Sequence, residues 1–471
     1  MHIPRLLTAL VAVIVLVIVV AVGSVLVQPP RALIVAAGFT PDTITPNADG
    51  DTDVAVFSYT LSRNATVSLT FSDAAGNDPY VFRDAQPRTP EDYQVLFSGV
   101  VAGYQLEDET FQGEVETRLL PDGDYTWTLT ATDEAGEVEA VTGTLAIREA
   151  DADLPDLIDF DVSHEVFTPN QDGIDDRLTV HVTVVKESTL NLYLLDDDAN
   201  RYYIAEAAGS VNIGEAGRHT FDWDGGIDTG ADPPPDGTYQ LVLEAEDAEG
   251  QRVYRTGSVG IADSGIPYGA IYPQPTGTTV FYDSMPYDPR YHTSADAPGD
   301  LIALPEGIES AIGDDEVVVQ GDLLIFRLTV INDGPVGLRT TGPPPGTAYE
   351  QDQFSSSLGW YEESGAWRIG FECDTIGSSY PWRWAIGSAD ELVTVEQGGR
   401  FYSYLPPGEQ AVVWGAVRLT EIVTSRNPQP CWFGLIHEDV EVAEANVDRR
   451  WVQIVPGPEG VSVRLLDADQ N

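Results

Sequence analysis

The chain has 471 residues, enough for two to four domains. It carries 76 acidic against 24 basic residues, a formal charge of −52, which excludes nucleic-acid binding and disfavours docking on anionic lipid. Hydrophobic residues at 42% can still fill real cores, and 44 Gly with 32 Pro suit short strands joined by turns.

An apolar or small run extends from Leu6 to Val27, which is 22 residues. As a helix it would be about 33 Å long, enough to cross a bilayer core. Arg5 precedes it and no acidic residue occurs before Asp42. The positive-inside rule then puts the N-terminus in the cytoplasm and everything beyond Pro30 outside. Residues 1–30 are therefore expected to be a cytoplasmic stub and a retained membrane anchor. A cleaved signal peptide is the alternative, with Ala21-Val22-Gly23 as a small-x-small site.

Beyond this run the chain repeats itself. Thr45-Pro-Asn-Ala-Asp-Gly-Asp-Thr-Asp53 matches Thr168-Pro-Asn-Gln-Asp-Gly-Ile-Asp-Asp176 at an offset of 123. Pro121-Asp-Gly-Asp-Tyr125 matches Pro235-Asp-Gly-Thr-Tyr239 at an offset of 114. Between and after these blocks lie β-rich, partly alternating runs: residues 54–61 and 178–185, their hairpin partners 66–71 and 189–194, and 125–131 and 239–245. Two duplicated domains follow, over 31–149 and 155–263, each a sandwich of about seven short strands. The motif order is Thr-Pro-Asn-x-Asp-Gly-x-x-Asp, then Phe221-Asp-Trp-Asp-Gly225, then Pro-Asp-Gly-x-Tyr and Ala-x-Asp-x-x-Gly. It resembles the bacterial Ig-like domain of the FlgD type. The first copy has only Phe97-Ser-Gly99 at the aromatic position, followed by an insertion. The resemblance implies an Ig-like or fibronectin-like sandwich used as a spacer or binding module, with no flagellar role.

Residues 264–303 are Pro-, Tyr- and Gly-rich and read as a linker packed against its neighbours through Tyr268, Tyr272, Tyr282 and Tyr287. Residues 304–456 form a third unit, with strand-like runs at 322–332, 411–420 and 451–455, and a tail over 457–471. The order of a strand ending in Asn-Asp-Gly334 and a later Pro-Pro-Gly408 entering a Val-rich strand loosely resembles CARDB-type adhesion Ig modules. The expected fold class is all-β: tandem Ig-like or fibronectin-like β-sandwiches following one N-terminal transmembrane helix.

Few chemistries fit these residues. The catalytic elbows, zinc motifs and phosphate loops of common enzymes do not occur, so no enzyme is expected. His437-Glu438-Asp439 reads as a strand end beside solvated acids rather than a hydrolase fragment. Asn47, Asp49 and Asp53 surround Gly50, as Asn170, Asp172 and Asp176 surround Gly173, which copies the middle of a calcium loop. Its first position is Thr45 or Thr168 and its twelfth Val56 or Thr179, so the bidentate Glu is missing. An Asx-type turn needs the same residues and is the preferred reading, with calcium as the one ion the pattern admits. Cys373 and Cys431 lie in the exterior portion and are expected to pair, closing 58 residues and contributing about 4 kcal/mol on chain-entropy grounds, with two buried thiols as the alternative.

Seven of the nine tryptophans fall in the third unit. Trp382 and Trp384 would share one face of a strand and could stack on sugars, or fill the core. Asn64-Ala-Thr66 fits the glycosylation sequon. The expected role is structural, adhesive or binding at the cell surface, with the membrane and an unknown surface protein or glycan as partners. The alternatives are a carbohydrate-binding envelope protein using the Trp-rich unit, or a secreted accessory protein if the N-terminal run is cleaved.

Overall fold

Alternation along the strand Ala55–Leu61 sends Ala55, Phe57, Tyr59 and Leu61 inward. The strand Leu178–Val184 does the same with Leu178, Val180, Val182 and Val184. These are the equivalent central strands of two sandwiches in a computed structural model. It describes residues 10–19, 32–74, 78–106, 109, 111–209, 211–273, 279–287, 301–304, 306–308 and 315–457.

In the first repeat, Ile34–Thr40, Ala55–Leu61 and Asp92–Phe97 form one sheet. The other contains Thr43–Ile44, Val138–Ile147, Gly123–Asp133, Ala65–Ser72 and Tyr80–Arg88. Phe57, Phe71, Phe97 and Trp127 fill the space between them. In the second repeat, Leu157–Val162, Leu178–Val184 and Gly217–Trp223 face Arg201–Ile204, Thr189–Leu195, Gly237–Glu246 and Arg252–Ile261. The duplicated Pro-Asp-Gly-x-Tyr motif has one job in both. Tyr125 Oη donates to the Pro121 carbonyl at 2.9 Å and Tyr239 Oη to the Pro235 carbonyl at 2.7 Å. Each bond pins a strand start to the loop before it, as a tyrosine corner does.

The insertion in the first repeat leaves its own sandwich. Its strand Glu114–Leu119 pairs antiparallel with Arg252–Ile261 of the second repeat, and Val100–Ala102 pairs with Glu114–Leu119. The two repeats thus share one sheet. The boundary expected at 149–155 separates cores, not sheets.

The third unit packs two larger sheets. One joins Gly269–Ile271, Leu323–Asn332, Gln410–Arg418 and Ala348–Glu350, with Phe281–Met285 also paired to Leu323–Asn332. The other runs Asp315–Val319, Glu441–Val455, Gln429–His437, Trp367–Cys373 and Trp382–Ala385. A small third sheet holds Leu338–Thr340, Arg400–Leu405 and Val393–Gln397. The stretch read as a linker is therefore partly built into this unit. Val280 and Tyr282 are buried, and the Arg418 guanidinium lies 3.7 Å over the Tyr287 ring. Flanking prolines disguise strands of only three and five residues.

At the N-terminus residues 10–19 are helical and their apolar side chains are exposed. Among the described residues no helix is long and apolar enough to cross a membrane. The rest of the run from Leu6 to Val27, residues 6–9 and 20–27, lies outside the described residues, as does the tail from 458.

Candidate functional site

The repeated Asn-x-Asp-Gly loop is built on the same plan in both copies, with one amide donor changed. In the first, Asn47 Oδ1 accepts from Asp49 N, Asp49 Oδ1 from Asp51 N, and the Asp53 carboxylate from Asn47 N and Gly50 N. In the second, Asn170 Oδ1 accepts from Asp172 N, Asp172 Oδ1 from Ile174 N, and the Asp176 carboxylate from Asp172 N and Gly173 N. Thr45 and Thr168 hydroxyls close the loops on the carbonyls of Asp51 and Ile174 at 2.8 Å. These are successive Asx turns, and the left-handed φ of 87° at Gly50 and 82° at Gly173 is where the chain doubles back. Among the described residues no three His, Cys, Asp or Glu side chains gather as a metal site.

The copies differ in what covers them. Asp49 is exposed, whereas Asn170 and Asp172 are only 6% and 5% exposed. The second loop is buried against the third unit. Tyr404 Oη donates to Asp172 Oδ2 at 2.7 Å and Arg339 Nε to the Asp172 carbonyl. His437 Nε2 bonds the Gln171 carbonyl at 2.8 Å, and Gln397 Nε2 donates to Asp175 Oδ2 at 2.9 Å. Backbones meet directly here: a Cβ on Gly365 would lie 2.1 Å from the Asp172 carbonyl carbon, and one on Gly173 2.1 Å from the Ser364 oxygen.

Burial perturbs the groups at this seam. Desolvation, with the neighbouring Asp172 charge, pushes Asp176 up to about 6. Asp172 is also raised by burial, against the opposing bond from Tyr404. His437 is pushed down to about 4 by burial, with its ring stacked on Trp367 at 4.3 Å. Of the two acids expected to be solvated beside His437, Asp439 is exposed but Glu438 is corrected: it is 4% exposed. It pairs with the fully buried Arg368 at 3.2 Å and with Arg383 at 2.6 Å. A strand end adjacent to a second domain is not a surface, and sequence alone does not show the second domain.

A second seam joins the repeats. The chain's single lysine, Lys186, bonds Asp247 Oδ2 at 2.8 Å and Glu249 Oε2 at 2.9 Å, and reaches the Asp151 and Asp153 carbonyls at 3.2 Å. Burial pushes its ammonium down, and these acids more than reverse that. The buried Gln251 donates to the Asp153 carbonyl and accepts from Leu119 N of the first repeat.

Cys373 and Cys431 are directly opposite on neighbouring strands, Cα atoms 4.0 Å apart, and form a disulfide. Trp382 and Trp384 do share a face, but it is the core face. Both have 0% exposure, with Trp384 edge-on to Phe326 at 4.7 Å and Tyr349 at 5.1 Å. Sugar stacking on these two rings is thereby corrected, because the opposing sheet already covers them.

No protein-family model and no curated protein matches the chain. Among solved structures it is similar to a tetra-tandem repeat from the extending region of a large adhesion protein, at 13% identity. That match covers 85% of this chain and 81% of the other, with a TM-score of 0.16. A Ca2+-stabilized adhesin that helps an Antarctic bacterium bind ice matches at 12% identity, covering 87% and 83%, with a TM-score of 0.20. A region of a 1.5-MDa bacterial ice-binding adhesin matches at 10% identity, covering 83% and 100%, with a TM-score of 0.18. Scores this low carry no argument about arrangement or role.

Proposed function

We propose that this chain is a non-enzymatic surface protein, held by the run from Leu6 to Val27, that presents its third unit for adhesion or binding. One observation carries the reading. Buried polar residues bridge both seams: Gln251 accepts from Leu119 N of the first repeat and, with Lys186, holds the connecting Asp151 and Asp153 carbonyls, while Asp172, Arg339 and Tyr404 tie repeat to third unit. Domains locked in this way transmit position from one end of a chain to the other. The FlgD-type and CARDB-type resemblances point to the same class of role. Fractionation should leave the intact chain in the membrane, and protease applied outside should digest it beyond Pro30. Cells displaying it should adhere to a surface that undisplaying cells ignore. A soluble mature chain beginning near Ser24 would replace this with the secreted accessory reading, and absence of any adhesion would remove the role.

A further inference from the structure

The third unit has an open cavity of about 320 Å³ next to its seam with the second repeat, which Arg383 reaches through Glu438. That lies at the small end of ligand pockets, which run roughly 300–1,000 Å³. Phe354, Trp360 and Tyr361 wall it and are 42%, 38% and 70% exposed. Three exposed rings within eight residues contrast with the buried rings of the neighbouring core.

The backbone that carries these rings is held in place. A short 3-10 turn, Ser355–Leu358, ends at Gly359, where φ is 84°. Trp360 N then donates to the Ser355 carbonyl at 3.1 Å, and the buried Arg368 holds the Tyr361 carbonyl through Nη2 at 2.7 Å. A loop backbone fixed before binding has less entropy to lose on binding.

The remaining lining is polar: Ser355, Ser356, Ser378 and Ser379, Glu362, and Arg383, whose Nη1 bonds Glu362 Oε1 at 3.0 Å. The Ser378 hydroxyl is buried and has no hydrogen-bond partner among the described residues. A buried hydroxyl left unpaired costs free energy that an incoming donor or acceptor would recover.

From this geometry we infer that the cavity binds a neutral pyranose unit of a glycan, its apolar ring face on Tyr361 and Trp360 and its hydroxyls on Ser378, Glu362 and Arg383. Aromatic faces beside fixed hydroxyl and charged partners suit a ligand with one apolar face and a polar rim. An anionic sugar is disfavoured by a chain charge of −52. An extended peptide is disfavoured because the nearby edge strand Trp382–Ala385 is already capped. Ala385 N donates to the Pro343 carbonyl, and the Arg383 carbonyl accepts from Tyr349 Oη.

The inference rests on the binding role proposed above and deepens it. The test is calorimetric titration of the full chain with neutral gluco-, manno-, galacto- and N-acetylhexosamine tetrasaccharides, alongside the adhesion assay. At least one should bind saturably, and Tyr361→Ala should weaken it by about tenfold or more without changing the melting temperature. Ser378→Ala should weaken it as well. No binding by any tetrasaccharide, wild-type affinity in Tyr361→Ala, or displacement of the sugar by a neutral peptide would overturn the assignment. Adhesion that persists without sugar binding would sink the cavity's role alone and leave the surface reading standing.

Discussion

His437 and Asp176, on opposite sides of one seam, respond to acid in opposite senses. His437 is held near 4 in the folded chain, below its ordinary 6.5. Between those values the unfolded chain binds more protons, so this residue costs stability as pH falls from about 6.5 to 4. Asp176 is held near 6, above its ordinary 3.8. There the folded chain binds more protons, so this residue adds stability as pH falls from about 6 to 4. The two contributions oppose each other, beside Asp172, Arg339, Tyr404 and Asp263. Asp176→Asn should therefore melt at steadily lower temperature as pH drops through this window, and His437→Gln at higher temperature, each relative to wild type. Parallel melting curves for the two variants would refute the opposition. Tyr404→Phe, which deprives the buried Asp172 carboxylate of a donor, should cost about 1–3 kcal/mol at neutral pH, read by denaturant unfolding.

At the scale of elements, the strand Glu114–Leu119 and Lys186, which holds the segment joining the repeats, decide whether the repeats act as one body. Lys186→Met would leave Asp247 and Glu249, with side chains 0% and 5% exposed, buried without their cation. Removing one partner of a buried pair costs about 3–5 kcal/mol. Hydrogen exchange in Arg252–Ile261 should speed up, and the segment around Asp151 and Asp153 should become protease-sensitive. Unchanged exchange would show that strand pairing alone holds the seam. The strands themselves were legible from alternation and turn chemistry, since both are local. So were the disulfide partners and the Asx loops, whose Asn, Asp and Gly residues satisfy one another. What was not legible is which surfaces meet. Asp49 and Asp172 occupy the same motif, yet only one is buried, because only the second copy has a neighbour seated on it. Parity placed Trp382 and Trp384 together correctly, but parity does not say which face is the core. Phe354, Trp360 and Tyr361 carried no sequence signal beyond their aromatic type.

For the whole molecule, charge and cross-linking set the remaining expectations. The loop carboxylates already accept backbone amides, so adding calcium to the chelator-treated full chain should not raise its melting temperature beyond the effect of magnesium at equal ionic strength. That control is needed because any divalent ion relieves the repulsion of 52 surplus negative charges. A calcium-specific rise, abolished by Asp49→Ala, would establish an ion site in the exposed first copy. The disulfide has a mechanical consequence. A surface-held chain that grips a target is loaded along its length, and Cys373–Cys431 encloses 58 residues of the unit that does the gripping. Stretched chain spans at most roughly 3.3–3.6 Å per residue, so the bridge withholds about 200 Å of extension from any forced unfolding. Pulling single molecules before and after reduction should show the third unit's unfolding step lengthen by that amount. Its cross-link then sets how far the protein can yield before it lets go.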